Sequence, residues 1–203
     1  VTWSVASGAG SITSGGLYTA TCVPGTYNGA VVATVGALSP SVGVTVAAGP
    51  LATLSVSPAN PSLPTGGQQQ FTASGVDACA NPVSTSVTWS ANASAGTITS
   101  GGIFTATGAP NTYANAVTAT SGPKAASTGV TLTAGNVATV TVTPSSAALV
   151  PGAKQVFTAV ARDSGNNVVV GTATWSIVAG GGTVDAAGEV TAGNTTGTFN
   201  NTV

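Results

Sequence analysis

Few residues in this chain of 203 amino acids carry groups that take part in acid–base, nucleophilic or metal chemistry. The sequence has no histidine, and its only side-chain carboxylates are those of Asp77, Asp163, Asp185 and Glu189. A serine nucleophile needs a base to take its proton, and acid–base catalysis needs paired carboxylates that converge on one site. A zinc site needs a cluster of cysteine and histidine ligands. We therefore expect no catalytic residue, no metal ligand and no bound cofactor.

Two of the carboxylates recur at a fixed spacing, because Asp77 and Asp163 lie 86 residues apart (163 − 77 = 86). Each is followed closely by asparagine, at Asn81 and at Asn166 or Asn167. One carboxylate with nearby carbonyls is the beginning of a calcium site, but calcium takes about 6–8 oxygens and usually more than one carboxylate. An aspartate that accepts hydrogen bonds from the backbone of its own turn is the favoured interpretation, with calcium as the alternative.

The composition excludes several classes of partner. Charged residues make up 3% of the chain, against about 25% in ordinary globular proteins, and the formal net charge is −1. Such a chain has no basic surface for nucleic acid or for anionic lipid, and no apolar run approaches the roughly 20 residues that insertion into a membrane requires. A surface hydrated by hydroxyls and amides fits a secreted, extracellular protein that packs against copies of itself. Compositional drift in the source organism is the alternative explanation.

The sequence repeats itself with a period of 86 residues. Trp3, Trp89 and Trp175 are evenly spaced (89 − 3 = 86; 175 − 89 = 86), and they lie in the phrases VTWS, VTWS and ATWS. The match extends without a gap, since GSITSGGLYTAT at 10–21 corresponds to GTITSGGIFTAT at 96–107. A period of this length indicates tandem copies of one structural unit.

Each copy has the pattern of an all-β fold. Short segments rich in Val, Thr, Ile, Phe and Ala alternate with a period of two, and turn sequences such as PANPS, SGG and GAPN separate them. This pattern predicts tandem immunoglobulin-like antiparallel β-sandwiches with Greek-key topology and about seven strands per repeat. In the complete copy the predicted strands are A (51–57), B (68–76), C (85–91), D (96–99), E (103–107), F (115–121) and G (127–133).

The period predicts three domains, of which only one is complete. They are a partial repeat over 1–49 with strands C to G, a complete repeat over 50–135, and a partial repeat over 136–203 with strands A to the start of F. Neither partial copy can bury a whole core by itself. The simplest expectation is that the chain is a window from a longer polymer of such repeats.

The aromatic residues recur at fixed places and are expected to form the core of each repeat. The tryptophans lie on strand C, where immunoglobulin-like sandwiches bury a large aromatic side chain, and a second set precedes strand F, near the place of a tyrosine corner. A third set lies on strand B. The predicted core residues are Trp3, Trp89, Trp175, Tyr27, Tyr113, Phe199, Phe71 and Phe157.

Four motifs, met in order across the whole chain, resemble one known family. They are TVTP at 141–144, GAKQVFTA at 152–159, VTWS at 87–90 and GSITSGGLYTA at 10–20. Together they are similar to the bacterial immunoglobulin-like domain of group 2. The resemblance implies a seven-stranded sandwich that serves as a spacer or adhesive module in cell-surface proteins, secreted enzymes and phage virions, without shared catalytic residues. Glu189 departs from the pattern, because the earlier copies have Leu17 and Ile103 at the corresponding position. The third hairpin is therefore expected to be shifted by one residue or to be less fully buried.

The two cysteines are predicted to join neighbouring domains. Cys22 follows strand E of the first copy, and Cys79 lies between strands B and C of the second. In this sandwich the two loops occupy opposite poles, so a bond within one repeat would span a distance that disulfide geometry forbids, whereas between consecutive repeats the loops face each other. At the next pair of repeats the corresponding positions, 108 and 165, are both glycine, so the two cysteines are absent together. Such a bond indicates an oxidising compartment. Two unrelated thiols, or partners outside this window, are the alternatives.

The leading functional hypothesis is a non-catalytic structural module of an extracellular fibre, stalk or surface filament. Exact repetition, scarcity of charge and the absence of site chemistry favour it, and uncharged edge strands favour association with other copies. The alternatives are an adhesin-type module that binds a host receptor or glycans, and accessory repeats of a large secreted enzyme.

Overall fold

The computed structural model describes residues 1–200, and every regular element in that range is a β-strand. The all-β prediction is confirmed. The strands form several small sheets of two to four strands, and nearly all neighbours run antiparallel, as expected for a β-sandwich architecture.

The first repeat contains a three-stranded sheet and a separate hairpin. Its strands are β1 (Thr2–Val5), β2 (Gly10–Ile12), β3 (Tyr18–Ala20), β4 (Gly25–Thr34) and β5 (Ser41–Val46). Strand β4 lies between β1 and β5, and β2 pairs with β3. Counted by the period, β1 to β5 correspond to the predicted strands C to G.

The middle repeat contains all seven predicted strands, with predicted strand B divided into β8 and β9, and two short additional strands, β7 and β10. Its strands are β6 (Thr53–Ser57), β7 (Ser62–Pro64), β8 (Gln68–Gln70), β9 (Thr72–Val76), β10 (Pro82–Val83), β11 (Thr88–Ala91), β12 (Gly96–Ile98), β13 (Ile103–Ala106), β14 (Asn111–Ser121) and β15 (Lys124–Thr133). They form sheets with the orders β10-β9-β6, β11-β14-β15-β7 and β12-β13-β8.

Strand β7 departs from the antiparallel prediction, because it pairs in parallel with β15. The chain leaves β6 through a proline-rich segment in which Asn60 adopts a positive φ of 47°. The side-chain oxygen of Asn60 accepts a hydrogen bond from the amide of Gly129 at 3.1 Å, and the amide of Asn60 donates to Thr128 Oγ1 at 2.9 Å. These contacts hold the end of the proline-rich segment next to β15 before β7 begins.

The third repeat contains six strands within residues 1–200. Its strands are β16 (Val137–Thr143), β17 (Lys154–Val156), β18 (Thr158–Asp163), β19 (Val168–Val169), β20 (Gly182–Val184) and β21 (Glu189–Ala192). The segment 173–176, which corresponds to β1 and β11, has no strand assignment. In the middle repeat the corresponding residue Trp89 pairs with Ala119 of β14.

The chain divides into two compact units. One comprises Val1–Pro61, Gln68–Thr105 and Tyr113–Val130, and the other comprises Ser62–Gly67, Ala106–Thr112 and Thr131–Val203. The boundary between the units falls inside the middle repeat. The domain limits that the period predicts, near 49 and 135, stay a prediction.

The first unit has its best-packed core in the middle repeat. The largest side chains that are fully buried are Phe71, Phe104, Val117 and Val130. Phe71 and Phe104 meet edge to face, with ring centroids 6.2 Å apart and an interplanar angle of 85°. This arrangement sets the positive edge of one ring against the negative face of the other and adds about 0.5–1.5 kcal/mol to the gain from burial.

The predicted core aromatics differ in how far they are buried. Phe71 and Phe157 are buried, whereas Trp89, Trp175, Tyr27 and Tyr113 are half-buried. Tyr27 forms the contact of a tyrosine corner, since its hydroxyl donates to the carbonyl of Val23 at 2.9 Å.

The core prediction is too strong for Trp3 and Phe199, which expose 38% and 37% of their surface. Trp3 lies on β1 at the edge of its sheet, and Phe199 lies in a segment without a strand assignment.

Each tryptophan nevertheless makes the same local contact with a glycine of the following hairpin. Gly16, Gly102 and Gly188 have φ values of 85°, 84° and 84°. A Cβ atom added to any of these glycines would lie within 3.2 Å of the indole of Trp3, Trp89 or Trp175. The glycine is thus required twice, by the left-handed backbone and by the ring above it.

The third hairpin keeps the register of the first, so the expected one-residue shift at Glu189 does not occur. Gly182 pairs with Ala192 as Gly10 pairs with Ala20. Position 189 tolerates glutamate because its counterparts are exposed: Leu17 exposes 70% of its surface and Ile103 41%. Glu189 forms an ion pair with Lys154 on the adjacent strand.

We predict that Gly102→Ala destabilises the chain more than Gly122→Ala. Both positions have positive φ. A Cβ at Gly102 would lie 2.6 Å from the carbonyl oxygen of Phe71, whereas a Cβ at Gly122 would have no neighbouring residue within 4 Å. Each alanine has a backbone cost of about 1–2 kcal/mol, and overpacking at Gly102 adds about 1–3 kcal/mol. Equal losses of stability in urea-induced unfolding would contradict the close packing around Gly102.

Candidate functional site at the joints between repeats

The recurring aspartates lie where one repeat of the sequence passes into the next. Asp77 follows β9 and Asp163 ends β18, and they expose only 6% and 4% of their surface. In a chain with so little charge, a buried carboxylate must have its oxygens satisfied by hydrogen-bond donors. We call two groups of residues the joints: the first joint comprises Asp77, Gly49, Asn81, Cys22 and Cys79, and the second comprises Asp163, Gly135, Asn167, Gly108, Gly165 and Thr65.

At the first joint Asp77 accepts four hydrogen bonds. Its Oδ1 accepts from the amides of Cys79 at 2.8 Å and Asn81 at 2.9 Å, within its own turn. Its Oδ2 accepts from Asn81 Nδ2 at 3.0 Å and from the amide of Gly49 at 2.7 Å. Gly49 precedes Asp77 by 28 residues and belongs to the segment that enters the middle repeat. The carboxylate therefore fastens that connecting segment as well as its own turn.

The second joint repeats this arrangement. Asp163 Oδ2 accepts from the amide of Gly135 at 2.8 Å, again across 28 residues. The amide of Asn167 donates to Oδ1 at 2.9 Å, and Asn167 Nδ2 lies 3.0 Å from Oδ2. The sequence-based expectation of a turn aspartate is therefore correct but incomplete. What it missed is the glycine that lies 28 residues upstream at each joint, in the repeated dipeptide Ala-Gly at 48–49 and 134–135.

The hydrogen bonds stabilise the charged form of both carboxylates. The side-chain amide of Asn81, followed by the amide of Gly49, lowers the pKa of Asp77 to about 2. The amide of Gly135, followed by the side chain of Asn167, lowers the pKa of Asp163 below its usual value. Partial positive charges on the N–H groups lower both pKa values, and burial acts in the opposite direction.

The geometry does not favour the alternative of a calcium ion. The oxygens of Asp77 and Asp163 face N–H groups, whose positive ends repel a cation, and calcium needs further oxygen ligands. Within residues 1–200, no group of three or more histidine, cysteine or acidic side chains is placed to bind a metal ion. Asp185 accepts from the amides of Ala187 and Glu189 in its own exposed turn.

The first joint also carries a covalent bond. Cys22 and Cys79 form a disulfide with their Cα atoms 5.6 Å apart, and both residues are exposed. Asn81, the partner of Asp77, donates through Nδ2 to the carbonyl oxygen of Cys22 at 2.7 Å. One asparagine thus connects the buried carboxylate to the loop that bears the bond.

The second joint has a hydroxyl contact in place of the disulfide. Gly108 and Gly165 occupy the positions of the two cysteines. Thr65 Oγ1 donates to the carbonyl oxygen of Gly108 at 3.2 Å, and a Cβ on Gly165 would lie 3.7 Å from Thr65 Cγ2. Thr65 therefore lies beside both positions that correspond to the cysteine pair. Its role was not visible in the sequence, because threonine is abundant.

No helix within residues 1–200 has the length and apolar character needed to cross a membrane.

We predict that acid destabilises the protein through the joints between about pH 4 and pH 2. Because the folded pKa of Asp77 is about 2 and its ordinary value is 3.8, the unfolded chain binds the proton more tightly. The stabilisation is present above about pH 4 and is lost as the pH falls through the folded pKa. The variant Asp77→Asn/Asp163→Asn should flatten this drop in the thermal midpoint, whereas Asp185→Asn should retain it. An unchanged slope in the double variant would contradict the assignment.

We also predict that Asp163→Ala releases the connecting segment of the second joint. Removal of the carboxylate leaves the amide of Gly135 without its acceptor, so that amide should exchange with solvent much faster, as measured by NMR. Asp185→Ala removes a carboxylate of the same repeat that binds only its own turn. It should leave the exchange of Gly135 unchanged. Equal effects of the two variants would show that the contact is not specific.

No family model matches the sequence, and no curated protein matches it. Solved structures of surface layer protein SbsC are similar to the chain. Domains 1–6 of that protein are 22% identical over 83% of this chain, with a TM-score of 0.40, and this chain spans about a quarter (24%) of their length. Domains 4 and 5 are 23% identical over 66% of this chain and 70% of theirs, again with a TM-score of 0.40. Similarity at this level assigns neither a family nor a function.

Proposed function

We propose that the chain is a non-catalytic structural module, in which tandem immunoglobulin-like repeats form part of an extracellular fibre, stalk or surface filament. The observation that carries the proposal is the joint, which is built in the same way twice. At both joints a buried aspartate binds the amide of a glycine in the connecting segment, at 2.7 Å and 2.8 Å. The polar geometry that recurs with the sequence period therefore serves the connection between repeats.

This geometry suits a protein that bears mechanical load. A glycine linker without such a contact is flexible, and relative motion of the repeats is then the default expectation. A buried carboxylate that binds the linker backbone restrains the φ and ψ angles at the point where motion would occur. The disulfide of the first joint adds a covalent restraint in the same place, and its presence favours a location outside the cytoplasm.

The motifs that resemble group 2 of the bacterial immunoglobulin-like domains favour the same function. The VTWS motif lies on β11, and the hairpin of GTITSGGIFTAT is formed by β12 and β13. The indole of the first motif covers a glycine of the second. The family resemblance thus concerns residues that pack against one another in the structure, and spacer modules are among the uses that it implies.

Self-association is the second part of the proposal, and uncharged sheet edges support it. Strand β11 lies at one edge of its sheet, and β6 lies at the edge of another. Neither strand contains a charged residue. Soluble proteins usually protect such edges with charge, proline or a bulge, because unpaired N–H and C=O groups can pair with another chain.

Binding of a glycan or a surface receptor is less well supported. Such sites usually present aromatic side chains, and Trp3 exposes 38% of its surface beside Val42 and Pro40. The counterparts Trp89 and Trp175 are half-buried over their glycines, so the exposure does not recur with the repeat. A ligand site that depended on the repeated tryptophan would need it to be open in the complete copy.

We predict that lysine at a sheet edge prevents self-association. Thr88→Lys/Ser90→Lys changes the edge strand β11, and Thr53→Lys/Ser55→Lys changes β6, with all four side chains exposed in the unmodified chain. The unmodified chain should form larger species as its concentration rises, and at least one edge variant should stay monomeric, because like charges would then face each other across the contact. Light scattering after size-exclusion chromatography measures the mass.

The matched control is Ser14→Lys/Ser100→Lys, which adds the same charge to exposed turn positions outside the strands. This control should associate like the unmodified chain. An unmodified chain that remains monomeric at every accessible concentration would refute self-association, and equal loss in the control would refute the role of the edges.

A further inference from the structure

The two joints share one restraint and differ in another, and the difference is informative. Both have a buried aspartate bound to the amide of a linker glycine. The first joint has the Cys22–Cys79 disulfide in addition, whereas the second has Gly108 and Gly165 at those positions. The second joint therefore shows what the same connection looks like without the covalent bond.

The second joint is ordered without a disulfide. Gly135 remains bound to Asp163, and Asn167 continues to donate to the carboxylate through both its backbone and its side chain. Thr65 caps the carbonyl of Gly108, as Asn81 caps that of Cys22. The contacts that hold Asp77 likewise come from backbone and amide groups, and none of them passes through a sulfur atom.

The disulfide of the first joint is open to chemical attack. Both cysteines are exposed, in contrast to structural disulfides that are buried in a core. A thiolate needs access to one of the two sulfurs, and the rate of attack depends on that access. Neither Cys22 nor Cys79 lies in a strand, so their separation does not require a sheet ladder to break.

We propose that the Cys22–Cys79 bond is a reducible latch, and that small thiols or dithiols convert the first joint into one of the second type without unfolding either repeat. This proposal rests on the structural function proposed above and adds a means of regulating it. One thiolate attacks a cysteine sulfur and displaces the other cysteine as a thiolate, which gives a mixed disulfide. A second thiol resolves that intermediate, so two thiols are oxidised to one disulfide and the protein gains two thiols after protonation.

Reduction of the disulfide would weaken the restraint on the first joint but leave its hydrogen bonds in place. In the reduced form Asp77 still binds Gly49, and Asn81 still binds the carbonyl of Cys22, but the loops are free to separate when these hydrogen bonds open. An array with such a joint would be stiff outside the cell and would loosen in the presence of thiols. The second joint would respond to neither condition.

Hydrogen exchange of two glycine amides tests the proposal on the full chain. The amide of Gly49 reports on the first joint and that of Gly135 on the second, since each donates to the aspartate of its joint. Treatment with dithiothreitol without denaturant should reduce the bond, as followed by intact mass. Exchange of Gly49 should then accelerate by about tenfold or more and approach that of Gly135, because local opening no longer works against a covalent bond. Exchange of Gly135 and of core amides such as Phe104 should not change.

Three outcomes would overturn the proposal. The bond might resist dithiothreitol until the chain is denatured, which would show that it is not accessible. Gly49 might exchange at the same rate before and after reduction, which would show that the bond does not restrain the joint. Core amides of the middle repeat might lose protection together with Gly49, which would make the bond a requirement for folding. Failure of self-association would leave all three readouts unaffected, so the two proposals can fail separately.

Two variants complete the test. Cys22→Ser/Cys79→Ser should give the faster Gly49 exchange of the reduced joint without any reductant. The exchange of core amides should not change. Gly108→Cys/Gly165→Cys installs the same pair at the corresponding positions of the second joint. It should form a disulfide on oxidation and slow the exchange of Gly135, and dithiothreitol should reverse this effect. Failure of the installed pair to form a bond would contradict the equivalence of the joints on which the proposal depends.

Discussion

A buried carboxylate that accepts hydrogen bonds from backbone amides is the interaction on which the connections of this chain depend. Burial of an isolated charge is costly, and the protein offsets that cost with N–H donors on both oxygens of Asp77 and Asp163. Asparagine could not replace aspartate here without presenting its own donors to other donors. The result is a fixed charge that needs no counter-ion, and it ties a turn of one repeat to the segment that enters that repeat.

This arrangement explains how a chain with 3% charged residues can restrain its joints. Surface ion pairs are weak and are screened by salt, so a protein that used them to restrain its joints would loosen in salt water. Contacts between a buried carboxylate and backbone amides are less sensitive to ionic strength, because water and ions are excluded from them. The sparse charge on the surface and the restraint at the joints are therefore compatible.

One local contact recurs in all three copies, whereas burial and strand pairing differ between them. Each tryptophan lies over its hairpin glycine in every copy. Trp3 exposes 38% of its surface, Trp89 and Trp175 are half-buried, and the segment around Trp175 has no strand assignment. Hairpin geometry is thus a property of about a dozen consecutive residues, whereas the core is a property of the whole repeat.

The amino-acid sequence by itself determined the period, the all-β fold and most strand positions, since alternation and turn residues act over a few neighbouring residues. It also indicated the cysteine pair, because loop positions follow from strand order. Only the tertiary structure decided that Gly49 and Gly135 bind the aspartates, that Thr65 stands where the second joint lacks a disulfide, and that β7 runs parallel to β15. These contacts join residues that are 28 to 70 positions apart and use backbone amides or common hydroxyls. Every residue offers such groups, so no pattern in the sequence distinguishes the ones that are used, and only the folded chain brings the chosen pairs within hydrogen-bonding distance.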